Sequence, residues 1–189
     1  MNTLRFWQLI EDTRVQVADP ADAEAVAAHA AALLAGFPRE EIVAAERVLS
    51  GLMADSYRTS LWAAAYVING GCSDDGFDYF RGWLIVQGHE VFDQAVTDPD
   101  ALASLAVIRP TARRAYLECE SALSIPAEAF KAATGEALPA GAHPSRPVEP
   151  SDGWDFDFDD QWEMNRRLPR LTALFWPDAP GRGTSERLP

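Results

Sequence analysis

Along most of the chain apolar residues recur every three or four positions, the spacing of a helix with one face turned to a core. Leu4, Trp7 and Ile10 follow that rule near the start, with Asn2 or Thr3 placed to cap. Asp19-Pro20 predicts the next helix start, because proline at a first helical position gives up no needed hydrogen bond. Val26, Ala30, Leu33, Leu34 and Phe37 make its stripe, and Gly36 with Pro38 ends it. Arg39-Glu40-Glu41 then puts two carboxylates in a first turn, where the helix dipole favours them. Ile42, Ala45, Leu49, Leu52, Met53 and Ser56 share a face of that helix. It either runs on through Leu61, Trp62 and Tyr66 to Asn69 or breaks between Tyr57 and Ser60.

Gly70-Gly71 ends this stretch, and Ser73 followed by Asp74 and Asp75 opens another helix. Phe77, Tyr79, Phe80, Trp83, Leu84, Ile85 and Val86 cover most of its circumference, so it is predicted to be the buried central helix. Gly88 closes it. A short helix carries Val91, Phe92 and Val96, and Asp98-Pro99 caps a turn through Leu102 and Leu105. Thr111 is placed to cap a helix bearing Tyr116, Leu117 and Leu123, and Ser124 to Ala133 forms the last main helix before Gly135. No strand pattern and no internal repeat is present. The expected fold is all-α: a compact multi-helix bundle around a buried central helix.

Composition shifts after residue 135. Residues 136 to 153 carry Pro139, Gly141, Pro144, Pro147, Pro150 and Gly153 with almost no aliphatic side chain, a Pro/Gly-rich linker. An alternation of aromatic and acidic residues follows, Trp154-Asp155-Phe156-Asp157-Phe158-Asp159, and then Leu168, Leu171, Leu174, Phe175 and Trp176 at helical spacing. The expected organisation is a helical domain over 1 to 135, the linker, and an acidic aromatic segment over 154 to 176 with a short helical part. That segment is expected to dock on the domain, since it would otherwise expose a large apolar patch. A disordered tail over 177 to 189 completes the chain.

The chain has 189 residues, of which 48% are hydrophobic and 24% charged, ordinary values for a globular protein. Its net charge of −13 is not ordinary. Such a field repels nucleic acid and anionic membrane surfaces, and the nearest basic clusters, Arg113-Arg114 and Arg166-Arg167, sit among apolar or acidic neighbours. Cys72 and Cys119 form neither a disulfide framework nor a metal-type spacing, so a reducing, cytoplasmic setting is expected. The start of the chain lacks the apolar core of a signal peptide, and Leu61 to Ile68 is far too short to span a bilayer.

The stretch from Leu61 to Ile85, centred on Asn69-Gly70-Gly71-Cys72-Ser73-Asp74-Asp75-Gly76-Phe77-Asp78-Tyr79-Phe80-Arg81-Gly82-Trp83, resembles the signature of a bacterial family known only as domain of unknown function 4240. Phe6-Trp7-Gln8-Leu9-Ile10, Asp98-Pro99 and Arg167-Leu168-Pro169-Arg170-Leu171 are also similar to that family's pattern. The resemblance covers residues 1 to 135, more weakly the aromatic segment. It implies a helical domain and brings no activity, cofactor or catalytic residue.

Chemistry is richest between Asn69 and Glu90. Asp74, Asp75 and Asp78 cluster with Arg81 and Tyr79, and on a helix Asp74, Asp78 and Arg81 share a face. Clustered carboxylates suit general acid/base work or a hard cation. The structural reading is stronger: first-turn aspartates stabilise a helix, and an Arg81 buried in so apolar a helix requires Asp78 or Asp75 as counter-ion. Gly70-Gly71-Cys72-Ser73 is no phosphate loop, since the lysine is missing and three aspartates follow. Cys72 lacks a histidine in its motif, and His29, His89 and His143 lie in separate elements, which argues against thiol catalysis and zinc. No metal or cofactor is expected. Two functions remain: a protein-binding or regulatory module, or a small enzyme using Asp74, Asp75 or Asp78 with Arg81 and Tyr79. The absence of a catalytic constellation favours the first, with another protein as partner and a small-molecule ligand left open.

Overall fold

Asn2 starts the first helix, α1 (Thr3–Gln16), by accepting a hydrogen bond from the Arg5 amide at 2.9 Å. In the computed structural model, which describes residues 1–109, 116–139, 149–150 and 153–177, every regular element among the described residues is helical. The fold is the all-α bundle that the periodicity predicts. Phe6, Trp7, Leu9, Ile10 and Thr13 form the buried stripe of α1, whereas Leu4 is 73% exposed. At about 100° per residue Leu4 points away from Phe6, Leu9 and Thr13, so the expected Leu4-Trp7-Ile10 face is corrected.

The second helix, α2 (Ala23–Leu34), begins three residues later than Asp19-Pro20 suggests. Asp22 accepts from the Ala25 amide at 3.0 Å, while Asp19 accepts from Ala21 in the preceding turn. Val26, Ala27, Ala30 and Leu34 give α2 a mostly small-residue buried face, which packs on α1. Helix α3 (Arg39–Asp55) carries Glu40 and Glu41 in its first turn and stops at Ser56, whose hydroxyl donates back to the Leu52 carbonyl at 2.7 Å. The chain therefore breaks before α4 (Thr59–Asn69) rather than continuing as one helix.

Gly70 closes α4 at φ 72°, a left-handed conformation that a glycine adopts without strain. Ser73 then caps α5 (Asp74–Val86), its hydroxyl accepting from the Gly76 amide at 3.1 Å. From Phe80 to Val86 every residue of α5 is buried, and the helix touches α2, α3, α4, α6 (His89–Thr97) and a 3-10 helix, Glu120–Ser124. This is the central helix of the bundle. Its last carbonyls need partners that the helix does not supply, and Arg14 of α1 donates to the Val86 carbonyl at 2.8 Å.

Beyond α6 come two 3-10 helices, Pro99–Ser104 and Ala106–Ile108. The helix expected from Thr111 is not confirmed: residues 111–115 lie outside the described residues, and residues 116–119 are not helical. There the Leu117 amide donates to Asn69 Oδ1 at 3.0 Å and the Cys119 amide to the Tyr79 carbonyl at 2.9 Å. Tyr116 is 65% exposed. Gly82 makes this crossing possible, since a Cβ there would stand 2.5 Å from the Cys119 carbonyl oxygen.

Helix α7 (Ile125–Thr134) packs on α2 and α3 and ends at Gly135. Much of the expected linker, residues 140–148 and 151–152, lies outside the described residues, as does the expected disordered tail from residue 178 onward. The aromatic segment leads into α8 (Gln161–Arg167) and α9 (Pro169–Phe175), whose Met164, Leu168, Leu171 and Thr172 are buried. Helix α9 lies against α4 and the Pro99–Ser104 turn. Its own N-cap residue, Leu168, has no acceptor in its side chain. Asp100 serves instead, accepting from the amides of Arg170 at 3.0 Å and Leu171 at 2.9 Å, with Arg170 Nε at 2.9 Å.

Candidate functional site

The acidic cluster at the start of α5 does not converge on one point. Asp74 and Asp75 occupy the first turn and are exposed. Arg81, only 2% exposed, pairs with Asp78 and donates to the Met53 carbonyl near the end of α3. Its guanidinium also lies over the rings of Tyr57 at 5.0 Å and Phe77 at 4.9 Å. A buried cation of this kind requires neutralisation, and Asp78 supplies it. Arg81 thereby ties α5 to the junction between α3 and α4.

Tyr79 is two residues from Arg81, about 200° around the helix, and faces the opposite way. It is half-buried beside Glu120, which is the main reason its phenol is held above the usual tyrosine range, with burial and Asp75 adding to the effect. Of the sequence candidates, Asp78 and Arg81 meet each other. Tyr79 feels the charges of Asp75 and Asp78, though Glu120 acts on it more strongly.

Cys72 sits just before the Ser73 cap. Trp62 Nε1 donates to its carbonyl at 3.0 Å. Burial, then the charges of Glu118 and Asp74, push the thiol up to about 12, so a reactive thiolate is scarce at neutral pH. His29 faces Gln16, while His89 stacks on Trp7 at 5.1 Å and pairs with Asp93 at 3.0 Å. His143 lies outside the described residues. Among the described residues no group of three or more histidine, cysteine or acidic side chains is arranged to hold a metal ion.

A concavity lies elsewhere, between α4 and the aromatic segment. Trp154, Phe156 and Phe158 are half-buried while Asp155, Asp157 and Asp159 are exposed, so successive side chains alternate between the protein and solvent even though the chain bends at Phe156 and turns at Phe158-Asp159. Phe156 meets Trp154 and Phe158 at 5.8 Å each, and Phe158 reaches Trp62 at 6.4 Å and Tyr66 at 5.6 Å. The Tyr66 hydroxyl donates to Asp159 at 2.5 Å, a bond that raises its pKa. These rings, with Thr59, Cys72, Glu149, Asp155 and Asp157, line an open cavity of about 430 Å³. Sequence reasoning singled out the aromatic segment but not its meeting with Trp62 and Tyr66. The strict aromatic–acidic alternation was the available signal.

Residues 1–132 match the family model described as a protein of unknown function, DUF4240. The chain belongs to this family. No curated protein and no solved structure matches it. The DUF4240 match ends inside α7, so it covers the α4 wall of the cavity and the whole of α5. The aromatic wall lies beyond it. Asp98 and Asp100, inside the match, meet a residue beyond it in space, Arg170, which bonds Asp98 at 2.6 Å and Asp100 at 2.9 Å.

Proposed function

We propose that the protein is a non-catalytic binding module whose partner is a protein with a positively charged face. The observation that carries this reading is the burial of Arg81 against Asp78 and Met53, which commits the best candidate chemistry to holding the bundle together. Arg81 is engaged by Asp78 and the Met53 carbonyl, and Tyr79 leaves α5 on the opposite side, which favours a structural over a catalytic use of these groups. The net charge of −13 supports a basic partner and disfavours nucleic acid and anionic membranes. Among the described residues no helix is long and apolar enough to cross a membrane. The free thiols of Cys72 and Cys119 suit a reducing compartment such as the cytoplasm.

An exposed anchor also supports the reading. Trp162 is 61% exposed, with the Arg166 guanidinium over its ring at 5.8 Å. Tryptophan and arginine dominate the energetic centres of protein interfaces. The test is capture of partners on the immobilised full chain, followed by reconstitution with the purified partner. A one-to-one complex weakened by salt and by Trp162→Ala is the expected result. A chemical turnover that Asp75→Asn or Tyr79→Phe abolishes would overturn the reading in favour of an enzyme.

A further inference from the structure

The cavity between α4 and residues 154 to 158 combines two surfaces that seldom coincide without use. It is lined by aromatic side chains, and an aromatic ring attracts cations over its face through the ring quadrupole. Its rim carries Glu149, Asp155 and Asp157, and none of the described residues lining it is basic. An anionic ligand is repelled by that rim, and a neutral apolar one gains nothing from it. A cation satisfies both.

The same rings already hold one. Arg167, which does not line the cavity, lies over Trp154 at 4.6 Å and Phe156 at 4.9 Å while its Nε donates to Glu163 at 2.9 Å. A guanidinium stacked on these two rings and anchored by a carboxylate is thus an arrangement this segment stabilises. Guanidinium is also the better fit on chemical grounds. It is planar and weakly hydrated, so it lies flat on a ring while its edge forks onto a carboxylate. An ammonium is compact and strongly hydrated, and a quaternary ammonium has no N–H donor to offer the rim.

We infer that this cavity receives the guanidinium group of an arginine side chain from a basic protein partner. The inference rests on the binding function proposed above and names the chemistry by which the partner is recognised. About 430 Å³ lies in the lower part of the ~300–1,000 Å³ range of small-ligand sites, which suits a side chain rather than a folded element.

The test uses the full chain and three blocked hexapeptides that are identical except for two central residues: arginine, lysine or citrulline. Titration calorimetry is run at low and moderate salt. The arginine peptide is expected to bind at least about fivefold tighter than the lysine peptide and about tenfold tighter than the uncharged citrulline peptide. Glu149→Gln with Asp155→Asn, both exposed rim positions, should weaken the arginine peptide about tenfold. Asp12→Asn with Glu40→Gln removes the same charge from α1 and α3 and should change affinity less than about twofold.

Equal affinity for arginine and lysine peptides, lost equally in both double variants, would mean that net charge alone attracts them and would overturn the inference. Stronger competition by tetramethylammonium than by methylguanidinium would overturn it in favour of an alkylammonium cage. The two proposals fail separately. A purified partner that binds the Glu149→Gln, Asp155→Asn variant as well as the unaltered chain rules out this cavity and leaves the binding function standing. An arginine peptide that binds as expected, with no protein partner found, keeps the guanidinium site and removes the binding-module reading.

Discussion

Replacing Asp100 with alanine should release the C-terminal helices without unfolding the bundle. The Asp100 carboxylate accepts two amides of the first turn of α9, from Arg170 and Leu171, together with Arg170 Nε. Loss of a helix cap costs about 1 kcal/mol. Leaving the buried Leu171 amide without an acceptor adds about 1–2 kcal/mol. The ion pair itself adds little, because the Arg170 side chain is half exposed and screened by solvent. The total is about 2–3 kcal/mol, or roughly a 30- to 150-fold rise in the undocked population. Hydrogen exchange measured peptide by peptide reads this directly: residues 161 to 175 should lose about that factor of protection while residues 77 to 86 keep theirs. Asp100→Asn retains an acceptor and should cost about half as much. Arg170→Ala leaves the backbone cap intact and should cost less than about 1 kcal/mol. Unchanged exchange in residues 161 to 175 of Asp100→Ala would refute the reasoning, as would an equal loss of protection in α5.

Arg81→Ala should destabilise the protein by about 2–4 kcal/mol in urea denaturation, with Arg81→Met intermediate because methionine refills part of the space; a loss under about 1 kcal/mol would show that the buried pair does not hold α3 to α5. Gly82→Ala should cost more than about 2 kcal/mol, since its Cβ meets a backbone oxygen at 2.5 Å. Gly51→Ala in α3, where a Cβ meets nothing within 4 Å, should instead stabilise by about 0.4–1 kcal/mol, and the two melting curves should move in opposite directions. With its thiol raised from 9.0 to about 12, Cys72 should react with iodoacetamide at pH 8 about a thousandfold more slowly than a free thiol. The folded state holds those thiol protons more tightly than the unfolded chain, and Cys119 is raised likewise. Their contribution is therefore complete below about pH 9 and is lost as pH rises towards 12, so Tm should fall across that window and fall less in Cys72→Ala, Cys119→Ala.

The elements that could be read in sequence are those whose partners are local. Helix α5 was legible because Phe77, Phe80, Trp83, Ile85 and Val86 surround its axis, and its cap because Ser73 bonds three residues on. The Asp78–Arg81 pair was legible for the same reason: it spans one turn. What escaped depends on distant partners. Residues 116 to 119 read as helix because Leu117 and Tyr116 fit a stripe, yet their amides are satisfied by Asn69 and Tyr79, 48 and 40 residues away. Leu168 offers no cap of its own, and nothing near it announces that Asp100 will supply one. Arg81's second anchor, the Met53 carbonyl, lies 28 residues upstream. The same holds for the site: the aromatic wall is visible as an alternation, while the opposing Trp62 and Tyr66 become its neighbours only once α4 and the later segment are brought together.

Gly82 has a bearing on how members of the DUF4240 family relate to one another. The hydrogen atom at its α-carbon is the only substituent that lets the Cys119 carbonyl rest on α5, so this one position works as a toll-gate for a strand of chain arriving from far downstream. A relative that carries alanine or serine there has to hold the segment around Cys119 farther from α5. The residue type found at this position thus bears on how closely that segment can settle on the central helix.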